Sequence, residues 1–282
     1  MKRRIAIISG WFGKARTSDI RNYDNRDGTS DYMLNVLEKL RIKAELVTDL
    51  DEIKATKSSF ACEFHLNVQT PLTQAPKICY LTETPEIRPQ NLFRRYVRYK
   101  RIYGFQRESS PSPGYVWTPY PHQLKVSQVN GFLDRDILFT MIASNRNVLF
   151  NGKKSLYTER QKIIDFFCRS HPNEMQLYGA DWDKPFQRPG LLPRIKNKID
   201  NRFKWNTSKK TKKVWQGIVE SKHPVLQRTK FNFCYENIKG VPGYVSEKIY
   251  DSAANGAIPI YIPSSDDHPD LIPKDYILIR GI

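Results

Sequence analysis

The chain has 282 residues, which predicts two domains at roughly 150 residues per domain. Hydrophobic residues make up 39% and aromatic residues 12% of the sequence, which excludes a wholly disordered chain. Apolar runs stay well below the roughly 20 residues of a membrane-spanning helix, and the stretch after the initial basic residues is too short for a signal peptide. Lys and Arg number 46 against 29 Asp and Glu, a net charge of +17, which predicts a polyanionic partner such as nucleic acid, anionic lipid or a phosphorylated molecule.

The first half of the chain alternates short apolar runs with helical patterns. Strands are predicted at 4–9, 44–47, 59–66 and 77–81, and helices at 31–42 and 90–103. The first helix places Met33, Val36, Leu37 and Leu40 on one face behind a Ser30 cap, and the second is strongly basic. Because strands alternate with helices, the pattern predicts a parallel α/β sheet.

The second half repeats this alternation after a turn-rich stretch at 109–114. Strands are predicted at 137–144, 231–235 and 258–262, and helices at 155–170 and 244–255. We therefore predict an N-terminal domain at 1–133 and a C-terminal domain at 134–282.

A basic segment at 185–213 interrupts the second half and contains Asp200 as its only acid. It is interpreted either as a solvated surface insertion or as a segment that docks on anionic lipid, which Phe203 and Trp205 would favour. The same two interpretations apply to the basic stretch at 90–103.

The cysteines and histidines predict neither a disulfide framework nor a metal site. Cys62, Cys79, Cys168 and Cys234 are scattered, which favours reduced thiols and a cytoplasmic protein. The five histidines show no metal-ligand spacing. Asp49-Leu50-Asp51 and Asp181-Trp182-Asp183 are short Asp-x-Asp patterns that leave a metal clamp as a minor alternative.

The segment from Lys230 to Tyr261 predicts a strand, a glycine-containing loop, a helix and a second strand. In such a unit a ligand binds beyond the carboxyl end of the strand, and the N–H groups that begin the helix suit a phosphate. Lys248 would add a positive charge there, whereas Glu236 and Glu247 could accept hydrogen bonds from sugar hydroxyls. The residues alone leave open that Glu247 is a helix-capping acid and Lys248 a solvated lysine.

This segment resembles the donor-binding motif of the bacterial-type α1,3/4-fucosyltransferases, the family-10 glycosyltransferases. The matching stretches are Tyr235-Glu236-Asn237, Tyr244-Val245-Ser246-Glu247-Lys248 and Ala257-Ile258-Pro259-Ile260. Ile238 and Ser246 depart from the family's pattern, and the loop is slightly longer. The resemblance implies that Glu236, Asn237, Tyr244, Glu247 and Lys248 bind the donor.

Two further stretches are similar to the same family. Ile142-Ala143-Ser144-Asn145, followed by a helix that carries Arg160, resembles the part that contacts the donor diphosphate, for which the guanidinium fork is suited. Ile78 to Glu86 resembles the strand that ends in the catalytic carboxylate, which implies Glu83 as the base, with Glu86 as the competitor. Without the resemblance, Arg160 reads as a surface cation and the two glutamates as loop acids.

The resemblance implies an α/β, GT-B-like fold with two Rossmann-like domains facing each other across a cleft. The first domain would bind the acceptor and supply the base, and the second would bind GDP-fucose but lack the family's closing helices. The implied reaction is the inverting transfer of L-fucose from GDP-β-L-fucose to O3 of N-acetylglucosamine or glucose in a glycan. The acceptor would be an oligosaccharide or glycolipid, such as a lipopolysaccharide or another surface polysaccharide. No obligatory metal is expected, with stimulation by Mg²⁺ or Mn²⁺ left open, as is peripheral contact with the inner face of an anionic membrane.

Two alternatives remain at this stage. The same fold could use a different nucleotide-sugar. The charge alone is also typical of a nucleic-acid-binding protein, although the basic-aromatic modules expected of that class are missing from the sequence, so we expect no nucleic acid as partner.

Overall fold

The structure is a computed structural model, and it describes most but not all of the chain. The described residues are 4–8, 29–47, 60–69, 71, 73–106, 112–119, 126, 128–129, 131–145, 154–183, 211–264, 269–272 and 277–278. The chain forms two compact units, Met1–Gln123 with Pro242–Tyr244, and Leu124–Val241 with Val245–Ile282. The two units divide between Gln123 and Leu124, ten residues before the predicted boundary between 133 and 134.

The first unit contains a six-stranded sheet in which all neighbours are parallel. Its strands are β1 (Arg4–Ile8), β2 (Lys43–Val47), β3 (Cys62–Leu66), β4 (Lys77–Tyr80), β5 (Arg101–Gly104) and β6 (Tyr115–Trp117). Their order is β2-β1-β3-β4-β5-β6. Helix α1 (Thr29–Lys39) precedes β2 and packs Leu34 and Leu37 against Phe64 and Leu66.

Three sequence-based details of the first unit are wrong. Ser30 lies inside α1 rather than before it, and Leu40 is 63% exposed rather than on the packed face. The predicted helix at 90–103 is replaced by two 3₁₀-helices, Pro89–Asn91 and Phe93–Arg98, and by β5. The physical reason is tertiary, because Ile102 is fully buried and pairs with Cys79 of β4, which requires an extended chain.

The second unit contains a five-stranded, all-parallel sheet. Its strands are β7 (Ile137–Ile142), β8 (Met175–Tyr178), β9 (Thr229–Tyr235), β10 (Ile258–Ile262) and β11 (Ile277–Leu278), in the order β11-β10-β9-β7-β8. Helices α2 (Tyr157–Ser170), α3 (His223–Gln227) and α4 (Glu247–Ala254) belong to the same unit. Helix α4 begins at Glu247 rather than at the predicted 244, since the backbone of Ser246 is extended.

Helix α2 shows how the core of the second unit is built. Its buried residues Arg160, Ile164, Phe167 and Cys168 follow helical spacing, so they form one stripe along the helix. Ile164, Phe167 and Cys168 belong to the same core cluster as Met141 of the adjoining sheet. This packing places Arg160 on the buried face of the helix.

Two sequence-based expectations concern thiols and the membrane. All four cysteines are unpaired, as predicted, and burial raises the pKa of the Cys234 thiol to about 12. No helix within the described part of the chain has both the length and the apolar character needed to cross a bilayer. Most of the basic segment at 185–213 lies outside the described residues, and only 211–213 can be placed.

Candidate active site

Glu236, the first residue after β9, connects the start of α4 to the sheet through hydrogen bonds. Its Oε1 atom accepts hydrogen bonds from the Ser246 N–H at 2.7 Å and from the Tyr261 hydroxyl at 2.9 Å. Its Oε2 atom lies 3.6 Å from Lys248 Nζ, and its side chain is fully buried. Burial, and then the charge of Glu236, raises the pKa of Tyr261, which keeps this hydroxyl a donor. The structure therefore favours a structural role for Glu236 over the predicted contact with a hydroxyl of the sugar-nucleotide donor.

Lys248 lies in the first turn of α4, at the N-terminal end of the helix. Its Nζ donates to Ser246 Oγ at 2.9 Å and lies 4.0 Å from Glu247 Oε1. The Lys248 and Glu247 side chains keep 22% and 23% of their surface exposed. Both therefore remain accessible to a ligand, and the ammonium group reinforces the positive end of the helix dipole.

Arg160 and Asn237 are brought together although 77 positions separate them in the chain. Arg160 Nη2 donates to the carbonyls of Tyr235 and Glu236 at 2.7 and 3.0 Å and to Asn237 Oδ1 at 2.8 Å. The guanidinium also lies over the Tyr157 ring, 4.6 Å from its centroid. Arg160 is 4% exposed, so the alternative that it is a surface cation is wrong. The guanidinium binds the carboxyl end of β9, where the sequence predicts the donor site.

Asn145 lies beyond the carboxyl end of β7, the strand next to β9. Its main-chain N–H donates to the Ala180 carbonyl and its Nδ2 to the Asp181 carbonyl, both at 2.9 Å. Gln161 Nε2 donates to its Oδ1 at 3.4 Å. These contacts connect the end of β7 to the turn after β8. Asn145 therefore lies at the predicted edge of the sheet, and its contact with the sugar-nucleotide donor stays a prediction.

Glu83 follows β4 in the first unit, at the carboxyl end of the sheet. Its Oε2 atom accepts a hydrogen bond from the Tyr244 hydroxyl at 3.1 Å, and Tyr244, which belongs to the same unit, packs its ring against Phe105. Burial lowers the pKa of the nearby Arg88 guanidinium, and the negative charge of Glu83 is the largest effect opposing this. Glu83 thus has a tyrosine donor and a cation close to its carboxylate. Glu86 lies in the turn that follows.

Two residues beside Glu83, Asn67 and Asn91, are not among the site residues predicted from the sequence. Both are buried, and their carboxamides hydrogen-bond the main chain of Glu83. The signal for Asn67 was available, because it directly follows a predicted strand. Asn91 carried no such signal, since its contact with Asn67 spans 24 positions and lies in a stretch predicted to be helical.

The Asp-x-Asp alternative finds no support where it can be tested. Trp182, between Asp181 and Asp183, is buried and donates from Nε1 to the Ala143 carbonyl at 2.6 Å. Among the residues that the structure describes, no group of three or more His, Cys, Asp or Glu side chains is placed to hold a metal ion. The pattern at 49–51 lies outside the described residues, and the expectation of a metal-independent reaction stays a prediction.

Comparisons with known proteins address the fold and part of the sequence. The solved structure of Anabaena Alr3699/HepE in complex with UDP and glucose superposes with a TM-score of 0.52 at 9% identity, covering 97% of this chain and 85% of that one. The fold is GT-B. This confirms the predicted fold class, and no protein-family model matches the chain.

One curated relative shares a short stretch of sequence. The α-(1,3)-fucosyltransferase FucT of Helicobacter pylori is 42% identical over 62 residues, which cover 22% of this chain and 13% of the relative. The match supports a fucosyltransferase-like relationship for that part of the chain.

Proposed function

We propose that this protein is an inverting α1,3-fucosyltransferase that uses GDP-β-L-fucose. The observation that carries the proposal is the 62-residue match, 42% identical, to an α1,3-fucosyltransferase. The geometry at the carboxyl end of β9 supports it, since Arg160, Asn237 and the start of α4 meet at the edge of the sheet where α/β folds bind nucleotides. The acceptor in this proposal is O3 of N-acetylglucosamine or glucose in an oligosaccharide or glycolipid.

In the second unit, the diphosphate of the donor would be bound by cationic and N–H groups. Arg160 contributes a guanidinium, Lys248 an ammonium group, and α4 the positive end of its dipole. Asn237 and Glu247 supply amide and carboxylate groups for the hydroxyls of ribose or fucose. The loop before α4 turns at Gly240, which has a φ of 76° and so allows the backbone to bend sharply.

The chemical step needs one base and stabilisation of a leaving group. Glu83 accepts the proton of the acceptor hydroxyl as its oxygen forms a bond to C1 of fucose. The bond between C1 and the β-phosphate oxygen breaks with inversion, and GDP leaves with the electron pair. The positive charges of Arg160 and Lys248 stabilise the negative charge that develops on the diphosphate.

Peripheral contact with an anionic membrane is a further part of this proposal. Val97 is 88% exposed within the 3₁₀-helix Phe93–Arg98, and basic residues surround it in the sequence. Arg94, Arg98, Lys100 and Arg101 are all exposed. Salt-sensitive co-sedimentation with anionic vesicles, and none with neutral vesicles, would support this contact.

Two substitutions test the reaction, one expected to lower turnover and the other expected to weaken nucleotide binding. Glu83→Gln should lower turnover by about 10²–10⁴-fold, the usual contribution of a general base, with the affinity for GDP-fucose unchanged. Lys248→Ala should weaken GDP binding measured by calorimetry. Glu86→Gln is the matched control and should keep wild-type turnover. If Glu86→Gln loses turnover while Glu83→Gln keeps it, the base is Glu86.

A different donor is the second candidate, because the structure of Anabaena HepE was solved with UDP and glucose. Thermal-shift measurements with GDP-fucose, GDP-mannose and UDP-sugars separate the candidates. Stabilisation by UDP-glucose without a response to GDP-fucose would contradict the fucosyltransferase proposal.

A further inference from the structure

We propose that Asn67 and Asn91 are positioning residues that hold the main chain of Glu83 in the geometry of a base. The inference rests on the proposed function only where it calls Glu83 the base. That the two asparagines hydrogen-bond the main chain of Glu83 is a separate, structural claim.

The position of Asn67 follows from the sheet. β3 and β4 are parallel neighbours with Leu66 opposite Tyr80, so the residues that follow them emerge side by side. The main-chain N–H of Asn67 donates to the Tyr80 carbonyl at 2.7 Å. Asn67 has a φ of 60°, a left-handed conformation that asparagine tolerates better than most residues. This turn directs its side chain toward the residues after β4.

The Asn67 carboxamide makes four hydrogen bonds. Its Oδ1 atom accepts from the main-chain N–H groups of Thr82 and Glu83, at 3.0 and 3.1 Å, and from Asn91 Nδ2 at 2.8 Å. Its Nδ2 atom donates to Thr82 Oγ1 at 2.7 Å. A flipped amide would turn its NH₂ group toward these N–H donors, so the partners determine its orientation.

Asn91 completes the contact from the other side of Glu83. Its Nδ2 atom donates to the Glu83 carbonyl at 2.7 Å as well as to Asn67. Its Oδ1 atom accepts from the Val68 N–H at 2.9 Å, and its own carbonyl accepts from the Tyr96 hydroxyl at 3.0 Å. The main-chain N–H and carbonyl of Glu83 are therefore both bound by buried side chains, which fixes the direction in which its side chain leaves the backbone.

This arrangement is suited to positioning a base. A catalytic group displaced by about 1 Å can lose roughly 10²-fold in rate, so its backbone must be held firmly. Loops usually run over the protein surface, whereas here buried carboxamides bind the main chain of one loop residue on both sides. A carboxamide is neutral and therefore holds the loop without adding a charge beside the carboxylate.

The test makes the same substitution at the two asparagines. Asn67→Asp keeps the three bonds that Oδ1 accepts, and the bond from Nδ2 to Thr82 Oγ1 can be replaced by one that the Thr82 hydroxyl donates to the carboxylate. Asn91→Asp places a carboxylate against two acceptors, Glu83 O and Asn67 Oδ1. Both variants add one buried negative charge, so a difference between them reports the hydrogen bonds. We expect kcat to fall about 10²-fold in Asn91→Asp, at least tenfold more than in Asn67→Asp, with the KM for donor unchanged in both.

A structural measurement separates this inference from the proposed function. Hydrogen exchange should be slow at the Thr82 and Glu83 amides in the wild type and in Asn67→Asp. It should be faster in Asn67→Gly, which tolerates the positive φ but has no carboxamide. Asn232→Ala removes a similarly buried asparagine in β9 that bonds Ser252 Oγ, and it should lower Tm without changing kcat.

The outcomes are distinguishable. Unchanged exchange at Thr82 and Glu83 in Asn67→Gly, or equal losses of kcat in the two Asp variants, would overturn the inference. If the wild type transfers no fucose but the exchange pattern is as expected, the proposed function fails and the hold on Glu83 stands.

Discussion

Substitution of Glu236 tests whether this carboxylate supports the fold or binds the donor. In the structure its Oε1 atom serves two buried donors, Ser246 N and the Tyr261 hydroxyl, and its Oε2 atom faces Lys248. In Glu236→Gln the amide oxygen can still accept from both donors, and the attraction to Lys248 is lost. Because Glu236 is fully buried, its two charge-assisted hydrogen bonds become weaker neutral ones, and we expect a loss of about 1–2 kcal/mol.

Glu236→Ala should have a much larger effect. It removes the carboxylate oxygen that accepts from the Ser246 N–H and from the Tyr261 hydroxyl, and losing each of these buried hydrogen bonds costs about 1–3 kcal/mol. The expected loss in the free energy of unfolding is therefore about 2–6 kcal/mol. The stability losses of Glu236→Ala and Tyr261→Phe should be less than additive in the double variant, because both single changes remove the same hydrogen bond.

The assay is equilibrium urea unfolding followed by far-UV circular dichroism, with GDP-fucose affinity measured by calorimetry. Glu174→Gln is the control, since Glu174 forms an exposed pair with His171 and should change stability by less than about 0.5 kcal/mol. A structural Glu236 predicts near wild-type GDP-fucose affinity in Glu236→Gln. A loss of GDP-fucose affinity without a loss of stability in Glu236→Gln would refute this reasoning and would indicate that Glu236 binds the sugar nucleotide.

Two further predictions concern Arg160 and the thiols. Arg160→Lys keeps a positive charge but loses the planar guanidinium that binds the carbonyls of Tyr235 and Glu236. The free energy of unfolding in urea should fall by about 1–3 kcal/mol, and calorimetry should show a weaker affinity for GDP. Wild-type stability in this variant would contradict the contacts described. In the native protein at pH 8, a thiol reagent should modify the half-buried Cys62 first, and should reach the buried thiols Cys79, Cys168 and Cys234 only in urea. Because the pKa of Cys234 rises from 9.0 to about 12 on folding, its contribution to stability is present below pH 9 and is lost as the pH approaches 12. The urea midpoint of the wild type should therefore fall more steeply above pH 9 than that of Cys234→Ala.

The sequence by itself determined the α/β class and the order of most elements. Strands β1, β7, β9 and β10 and helix α2 lie close to their predicted positions, because short apolar runs and helical spacing are local properties. The motif around Asn237 and Lys248 also lies in the predicted strand, loop and helix. These features depend on neighbouring residues, so the order of residues is enough to indicate them.

The tertiary structure alone decided which polar side chains are buried and which remain accessible. Residues 90–103 are partly a strand, because a neighbouring strand offers hydrogen bonds that outweigh local helical preference. Arg160 lies inside because its face of α2 is the packed one, and Glu236 serves Ser246 and Tyr261 because three elements converge there. The contact between Asn67 and Asn91 also depends on the tertiary structure, because residues that are distant along the chain and meet in space produce no periodic pattern in the sequence.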